Sequence, residues 1–322
     1  MAHSRFIKDT GLTARMTLVM FLLGAVFVAL IVVLMYAAGN AGYGGLVWII
    51  GLVGLGIAWG QWYFSDTVAI RAMRAREVTP EQAPELHGTI DRLCALADMP
   101  KPRVAIAYTE MPNAFATGRS PSRSVVCVTT GILDRLTPEE MEGVLAHELS
   151  HVAHRDVMVM TIASSAGIVA GMLTRGAQYG ALFGGGGRRG GNNNNDGPPF
   201  WLIALVVSLV VYAVSFFLTR LLSRYRELCA DRSGAFLTGK PSALASALTK
   251  ISGEIARIPN KDLRATQSMN AFFIAPAIHG MTLSTLTSTH PSLEQRLEQL
   301  AKVSAELGRP MDGGFPTAGL GQ

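Results

Sequence analysis

The sequence has few charged residues for its length, and one long part of it has none. Aspartate, glutamate, lysine and arginine make up 16% of the 322 residues, against about 25% in soluble domains. No charged residue occurs between Arg15 and Asp66, so residues 16–65 are 50 consecutive uncharged positions. This length accommodates two membrane spans of about 20 residues each. The apolar content of 49% also excludes a disordered chain.

Cysteine is scarce, and the pattern of basic residues lacks a nucleic-acid signature. Cys94, Cys127 and Cys229 are an odd number with no CxxC pair, which predicts a reducing compartment and no disulfide framework. We expect all three to be small buried side chains. The net charge of +5 includes no basic stripe with interleaved aromatic residues. The sequence therefore predicts no nucleic-acid partner and a lipid bilayer as the partner of its basic residues.

Two apolar stretches, 16–38 and 46–64, predict an N-terminal transmembrane hairpin. The first is longer than the apolar region of a cleavable signal peptide, which has about 7–15 residues. Basic residues flank both outer ends of the hairpin and are missing from its turn: Arg5, Lys8 and Arg15 precede it, and Arg71, Arg74 and Arg76 follow it. By the positive-inside rule, both flanks lie on the cytoplasmic side.

The rest of the chain alternates between soluble and apolar character. Residues 65–156 and 220–308 are predicted to be two parts of one soluble domain, separated by a second apolar pair, 157–219, with a Gly/Asn-rich loop at 184–199. Within that pair, 197–219 predicts a span, whereas 157–174 fits either a tilted span or a buried core helix. Residues 1–64 are the N-terminal arm and hairpin, and 309–322 are predicted to be a disordered tail.

Short β-rich runs at 103–108, 113–117 and 124–129 are separated by proline and glycine and predict a small antiparallel sheet. The expected fold is therefore mainly α-helical with a small antiparallel β-sheet, in an integral membrane protein with an N-terminal transmembrane hairpin.

One helix carries a metal-binding pattern. Thr137 and Pro138 predict its start, and Glu140 completes a capping box. His147 and His151 follow inside it, and residues four apart lie on one side of a helix, so both imidazoles can bind one ion. Glu148 lies beside them as a candidate general base for water activated by the metal. Two histidines with an adjacent glutamate predict a catalytic zinc helix.

A catalytic zinc site needs a third protein ligand. The pattern that supplies a third histidine fails here, because His154 and Val157 occupy its glycine and histidine positions. Glu227 is the better candidate, and Asp231 follows it by four residues, so a helix would place both carboxylates on one face. Asp231 could accept the free N–H of a metal-bound imidazole.

Taken together, these motifs resemble one family along nearly the whole chain. The sequence is similar to the HtpX-type membrane zinc metalloproteases, gluzincins related to the CAAX prenyl endoprotease. The matching segments are the double apolar N-terminus, Pro112–Gly118, His147–His151 with Arg155-Asp156, Arg226-Glu227 with Ala230-Asp231, and Thr289–Ser292.

The resemblance implies an endopeptidase of a bacterial-type inner membrane, with its catalytic domain facing the cytoplasm and one Zn²⁺ per chain. Its implied substrates are damaged or misfolded membrane proteins, cleaved in membrane protein quality control. The resemblance also implies a substrate cleft edged by a strand with Asn113, Ala114, Phe115 and Ala116, which could hold an extended peptide by strand addition. Asn113 is either a substrate ligand or a turn residue after Pro112.

His290 matches the late His-Pro motif of the family, where it either stabilises the oxyanion or only enters a helix before Pro291. Two other functions stay open at this point. One is a CAAX-type processing protease, which would need a prenylated substrate. The other is a membrane scaffold with a structural metal site, which would need a fourth protein ligand. No feature of the sequence predicts an oligomeric state.

Overall fold

The computed structural model describes residues 10–40, 44–183, 200–257 and 290–308. The described helices are α1 (Thr10–Asn40), α2 (Gly44–Tyr63), α3 (Ser65–Ala72), α4 (Pro84–Ala97), α5 (Thr130–Leu133), α6 (Pro138–Ala153), α7 (Asp156–Phe183), α8 (Phe200–Thr238), α9 (Pro241–Arg257) and α10 (Leu293–Glu306). The described strands are β1 (Arg76–Glu77), β2 (Arg103–Ala107), β3 (Ala114–Ser120) and β4 (Arg123–Thr129). The predicted loop at 184–199 and the predicted tail at 309–322 lie outside the described residues.

Three helices in the described part of the chain are long and apolar enough to cross a membrane. They contain the segments Ala14–Tyr36 of α1, Asp156–Gly176 of α7 and Leu202–Thr238 of α8. Large apolar side chains on these helices are exposed, such as Phe21 at 71%, and a lipid environment is what such an apolar surface requires. The protein is therefore a membrane protein with a mainly helical fold.

Helix α2 covers the second predicted span and packs against α7. A Cβ added at Gly54 of α2 would lie 2.5 Å from Cγ2 of Val169 on α7, so a larger residue at position 54 would require this side chain or the helix to shift. Whether α2 and residues 157–174 cross the bilayer stays a prediction.

The four strands form one sheet in the order β1-β2-β4-β3. Strands β3 and β4 pair antiparallel as a hairpin, and β1 pairs antiparallel with β2. The prediction of an antiparallel sheet is wrong for one pair, because β2 runs parallel to β4. The connection 108–113 passes the end of β4 and places β3 on the far side of that strand. Strand β4 therefore lies between β2 and β3. Strand β3 is therefore an edge strand.

The sheet and helices α4, α8 and α9 pack around α6, which is buried along most of its length. One face of α6 lies against β3, and other faces contact α8 and α9. Its main apolar cluster includes Leu145 and Leu149 of α6, Ile90 of α4, Val126 of β4 and Leu248 of α9. Burial on all sides holds α6 at a constant position relative to the sheet and to α8.

Helix α8 runs without a break from its apolar N-terminal part to the helices and strands around α6. Its 39 residues span about 58 Å at 1.5 Å per residue, about twice the 30 Å of a hydrocarbon core. It passes through the boundary predicted at 219/220 and reaches α6 with its C-terminal turns.

Candidate metal centre

The helix that carries the two histidines is positioned by its own start and by one close contact. Thr137 and Glu140 form the capping box that the sequence predicts, with Pro138 as the first helical residue. Further along, α8 approaches the backbone of α6 at Gly234, where an added Cβ would lie 2.8 Å from the backbone nitrogen of His147. The glycine thus lets two helices that carry site residues lie closer than any other residue would allow.

The structure brings His147, His151 and Glu227 together, and one ligand atom from each lies within 4.8 Å of the others. The Nε2 atoms of the two histidines are 3.2 Å apart. Glu227 places one oxygen 3.5 Å from Nε2 of His151 and the other 3.7 Å from Nε2 of His147. Donors bound tetrahedrally to zinc at 2.0–2.1 Å are separated by about 3.3 Å. The donor set and its spacing therefore fit a tetrahedral metal ion.

His147 is held by a buried carboxylate. Its Nδ1–H donates to Oδ1 of Asp231 at 2.9 Å, and Asp231 is fully buried. Arg296 of α10 binds both oxygens of this carboxylate, with Nε at 2.7 Å and Nη2 at 2.6 Å. A hydrogen bond at Nδ1 orients the ring and leaves the lone pair of Nε2 available to a metal.

His151 has a matching partner. Its Nδ1–H donates to Oδ2 of Asp156 at 2.5 Å, and Arg226 forms an ion pair with the other oxygen of Asp156. Burial lowers the pKa of His151 to about 4, so its ring is neutral at physiological pH. A neutral ring is the form that binds a metal.

Glu148 lies beside the three candidate ligands and is 4% exposed. Its Oε2 accepts a hydrogen bond from the backbone N–H of Ala116 at 2.9 Å, so strand β3 holds this carboxylate. Burial raises the pKa of Glu148 to about 7, although His147 and the Ala116 N–H oppose the shift. A carboxyl group with a pKa near neutrality can both accept and release a proton at working pH.

Of the other residues singled out from the sequence, His290 lies at the same site, and Asn113, Ala114 and Phe115 lie on or just before strand β3. Nδ1 of His290 is 3.1 Å from Oε2 of Glu227. Asn113 precedes β3 and is 1% exposed, and its backbone N–H donates to Oγ1 of Thr129. Ala114 and Phe115 are buried within β3. A narrow cleft lies between this strand and the turn from α6 to α7, lined in part by Ala116, Thr117, His151 and Arg155.

Sequence reasoning assigned no role to two residues of the site. Arg296 lies 65 positions after Asp231, and no local pattern links them. Asp156 belongs to the Arg155-Asp156 pair that matches the family, and that match gives it no role of its own. The sequence offers one signal for both residues, which is that each lies close to another site residue. Arg296 follows shortly after His290, and Asp156 is five residues after His151.

Comparison with known proteins shows the family of the chain. Residues 80–304 match the profile of peptidase family M48. The chain belongs to peptidase family M48. Protease HtpX homolog 1 of Streptomyces coelicolor is 54% identical over 308 residues, which cover 95% of this chain and 97% of that protein. The HtpX homolog of Moorella thermoacetica is 51% identical over 301 residues, or 93% and 97% of the two chains.

Among solved structures, the crystal structure of S. mikatae Ste24p matches 85% of this chain and 67% of its own, with 19% identity and a TM-score of 0.46. Membership in family M48, together with the high identity to HtpX proteases, confirms the resemblance drawn from the sequence motifs. The M48 chain is a metalloprotease.

Proposed function

We propose that this M48 protease is a zinc-dependent endopeptidase that is anchored in the membrane and cleaves damaged or misfolded membrane proteins. The observation that carries the proposal is the convergence of His147, His151 and Glu227 within 4.8 Å. The Glu148 carboxylate of α6 lies beside them and is bonded to the edge strand β3. Two imidazoles and one carboxylate are a ligand set that zinc uses in catalytic sites with one open position. Bound there, zinc would supply Lewis acidity that polarises a carbonyl and acidifies water.

Glu148 is the proposed proton carrier. It accepts a proton from the attacking water and passes it to the leaving amine. The bond from the Ala116 N–H orients its carboxylate for this role. The proposed role of His290, which lies beside Glu227 and is 9% exposed, is to stabilise negative charge on the substrate oxygen. Asp231 and Arg296 orient His147.

The proposed substrate-binding element is β3. One edge of β3 forms hydrogen bonds with β4. On the other edge, the N–H of Ala116 points toward α6 and donates to Glu148. An extended peptide laid along the edge of β3 that no described strand pairs with would place its backbone next to Glu148 and the metal ligands. Asn113 at the start of the strand is the proposed further contact to the substrate backbone.

The proposed location is an inner membrane, with the catalytic domain on the cytoplasmic side. Support comes from the arginines that flank the hairpin and from the contact between α7 and α8. Helix α7 leaves the metal site at Asp156, and α8 returns to it at Arg226 and Glu227. An even number of membrane crossings between the two halves of the site explains how they meet. Anchoring places the cleft next to membrane-embedded substrates.

The test uses the full-length protein purified in detergent with zinc. The parent should digest casein, and a chelator should abolish digestion. Glu148→Gln should retain zinc and fold but lose activity by about 10²–10⁴-fold, the contribution of acid–base catalysis. Glu139→Gln, at an exposed position of the same helix, is the matched control and should remain active.

Casein digestion at the parental rate by Glu148→Gln would contradict the role of Glu148. If the parent binds zinc but cleaves no polypeptide, the alternative of a membrane scaffold with a structural metal site would be favoured. Cleavage confined to prenylated peptides would favour the CAAX-type processing enzyme. Selectivity for damaged membrane proteins needs a separate test. The protease is reconstituted in vesicles with either a destabilised or a stable version of one membrane protein, and the destabilised version should be degraded faster.

A further inference from the structure

The turn between α6 and α7 brings Asp156 back onto the metal centre. In a continuous helix, residues 151 and 156 would be separated by about 140° around the axis and would point in different directions. Helix α6 ends at Ala153, and Arg155 adopts a left-handed backbone conformation, φ 55°, before α7 starts at Asp156. Because of this turn, Oδ2 of Asp156 lies 2.5 Å from Nδ1 of His151.

The second oxygen of Asp156 is occupied by Arg226 of α8. Both side chains are secluded from solvent, with 13% of Asp156 and 4% of Arg226 exposed. Because both of its oxygens are engaged, the Asp156 carboxylate has a fixed orientation and accepts the Nδ1–H of His151. This hydrogen bond leaves the lone pair on Nε2, the atom that faces His147 and Glu227.

The two halves of this pair belong to different membrane-associated helices. Asp156 is the first residue of α7, and Arg226 lies on α8, next to Glu227. The contact is therefore possible only while the ends of α7 and α8 lie together. A separation of the two helices would remove the partner of His151 and leave Arg226 without its carboxylate.

We propose that Asp156 and Arg226 are positioning residues that fix the ring of His151, so that metal binding depends on the contact between α7 and α8. The inference rests on the proposed assignment of His151 as a metal ligand. His147 is held by Asp231 of α8 and Arg296 of α10, whereas His151 is held by Asp156 at the start of α7. Only the second of these contacts depends on the end of α7.

The experiment measures zinc affinity in full-length protein in detergent, by competition with a chromophoric chelator. All variants carry Glu148→Gln, which removes proteolysis and so protects the samples. Loss of a group that orients a metal-bound histidine typically weakens metal binding 10–100-fold, and Asp156→Asn should do so. Asp66→Asn is the matched control, because Asp66 pairs with Arg103 outside the metal centre, and it should leave zinc affinity unchanged.

A double-mutant cycle tests whether Arg226 acts through Asp156. Arg226→Gln alone should weaken zinc binding by less than Asp156→Asn, and the double variant should bind zinc as Asp156→Asn does. Effects that add in full would contradict action through one carboxylate. The double variant also removes both buried charges at once, so it is the form expected to stay folded if Asp156→Asn unfolds. Circular dichroism and gel filtration establish folding.

His151→Ala separates this inference from the proposed function. If His151→Ala keeps parental zinc affinity, the proposed ligand set is wrong. If His151→Ala loses zinc while a folded Asp156→Asn or a folded double variant binds it as tightly as the parent, only the positioning role is overturned. In the Co²⁺-substituted protein, Asp156→Asn should also shift the d–d absorption bands, which a change in stability alone would not move.

Discussion

Replacement of Gly234 by alanine should loosen the metal centre through a contact that no ligand makes. An added Cβ would lie 2.8 Å from the backbone nitrogen of His147 and 3.1 Å from the carbonyl carbon of Ala146. Backbone atoms inside a buried helix cannot move aside, and ordinary contact begins at 3.4 Å. Helix α8 would therefore have to retreat by about 0.6 Å, which exceeds the tolerance of about 0.2 Å for metal–ligand distances.

The cost has two measurable parts. Overpacking of this kind destabilises a fold by about 1–3 kcal/mol, which thermal unfolding in detergent should show as a lower melting temperature. The shift also moves Glu227, two turns earlier on α8, away from His147, so zinc retention under mild chelation should fall. Gly88→Ala on α4 is the control, because nothing lies within 4 Å of the added Cβ. It should stabilise the protein by about 0.5–1 kcal/mol.

Parental stability and zinc retention in Gly234→Ala would refute the argument that this close approach sets the ligand geometry. If Gly234→Ala lowers the melting temperature but retains zinc as the parent does, the close approach at Gly234 affects packing and not the ligand geometry.

Two further predictions concern single carboxylates. Glu227→Ala should weaken zinc retention strongly in metal analysis after mild chelation, and full occupancy would point to another third ligand. At Glu140, burial would raise the pKa, but hydrogen bonds from Lys250, Ser246 and the Thr137 backbone outweigh it and lower the pKa. The stability from Glu140 is thus present above about pH 4.5 and lost as pH falls through the lowered pKa. Glu140→Gln should cost about 1–2 kcal/mol at pH 7, and chemical denaturation should show this difference vanish in acid; a difference that persists there would contradict the assignment.

One short motif predicts much of the metal site because three of the site residues lie on a single helix. His147, Glu148 and His151 belong to a helix whose start is set by residues within one turn, Thr137 and Glu140. Helical geometry then fixes their relative directions without help from the rest of the chain. The same holds for Glu227 and Asp231, which lie four residues apart on α8. Local periodicity is sufficient to predict the relative directions of the side chains in both sets.

Other features depend on contacts that local patterns do not encode. The parallel pairing of β2 with β4 follows from the path of the connection 108–113, and short strands with turns between them predict hairpins instead. The expectation that all three cysteines are buried is wrong for one of them. Cys94 and Cys127 are buried, but Cys229 is only half-buried.

The sequence by itself determined that the chain enters a membrane, that one helix presents two histidines and a glutamate, and that a second helix supplies further carboxylates. Each of these follows from hydropathy or from helical spacing, which act over a few residues. Only the tertiary structure decided that Arg296 and Asp156 hold the two histidine rings and that Gly234 sets the distance between α6 and α8. Those contacts join segments that are distant in sequence or separated by a turn, and packing alone brings them together.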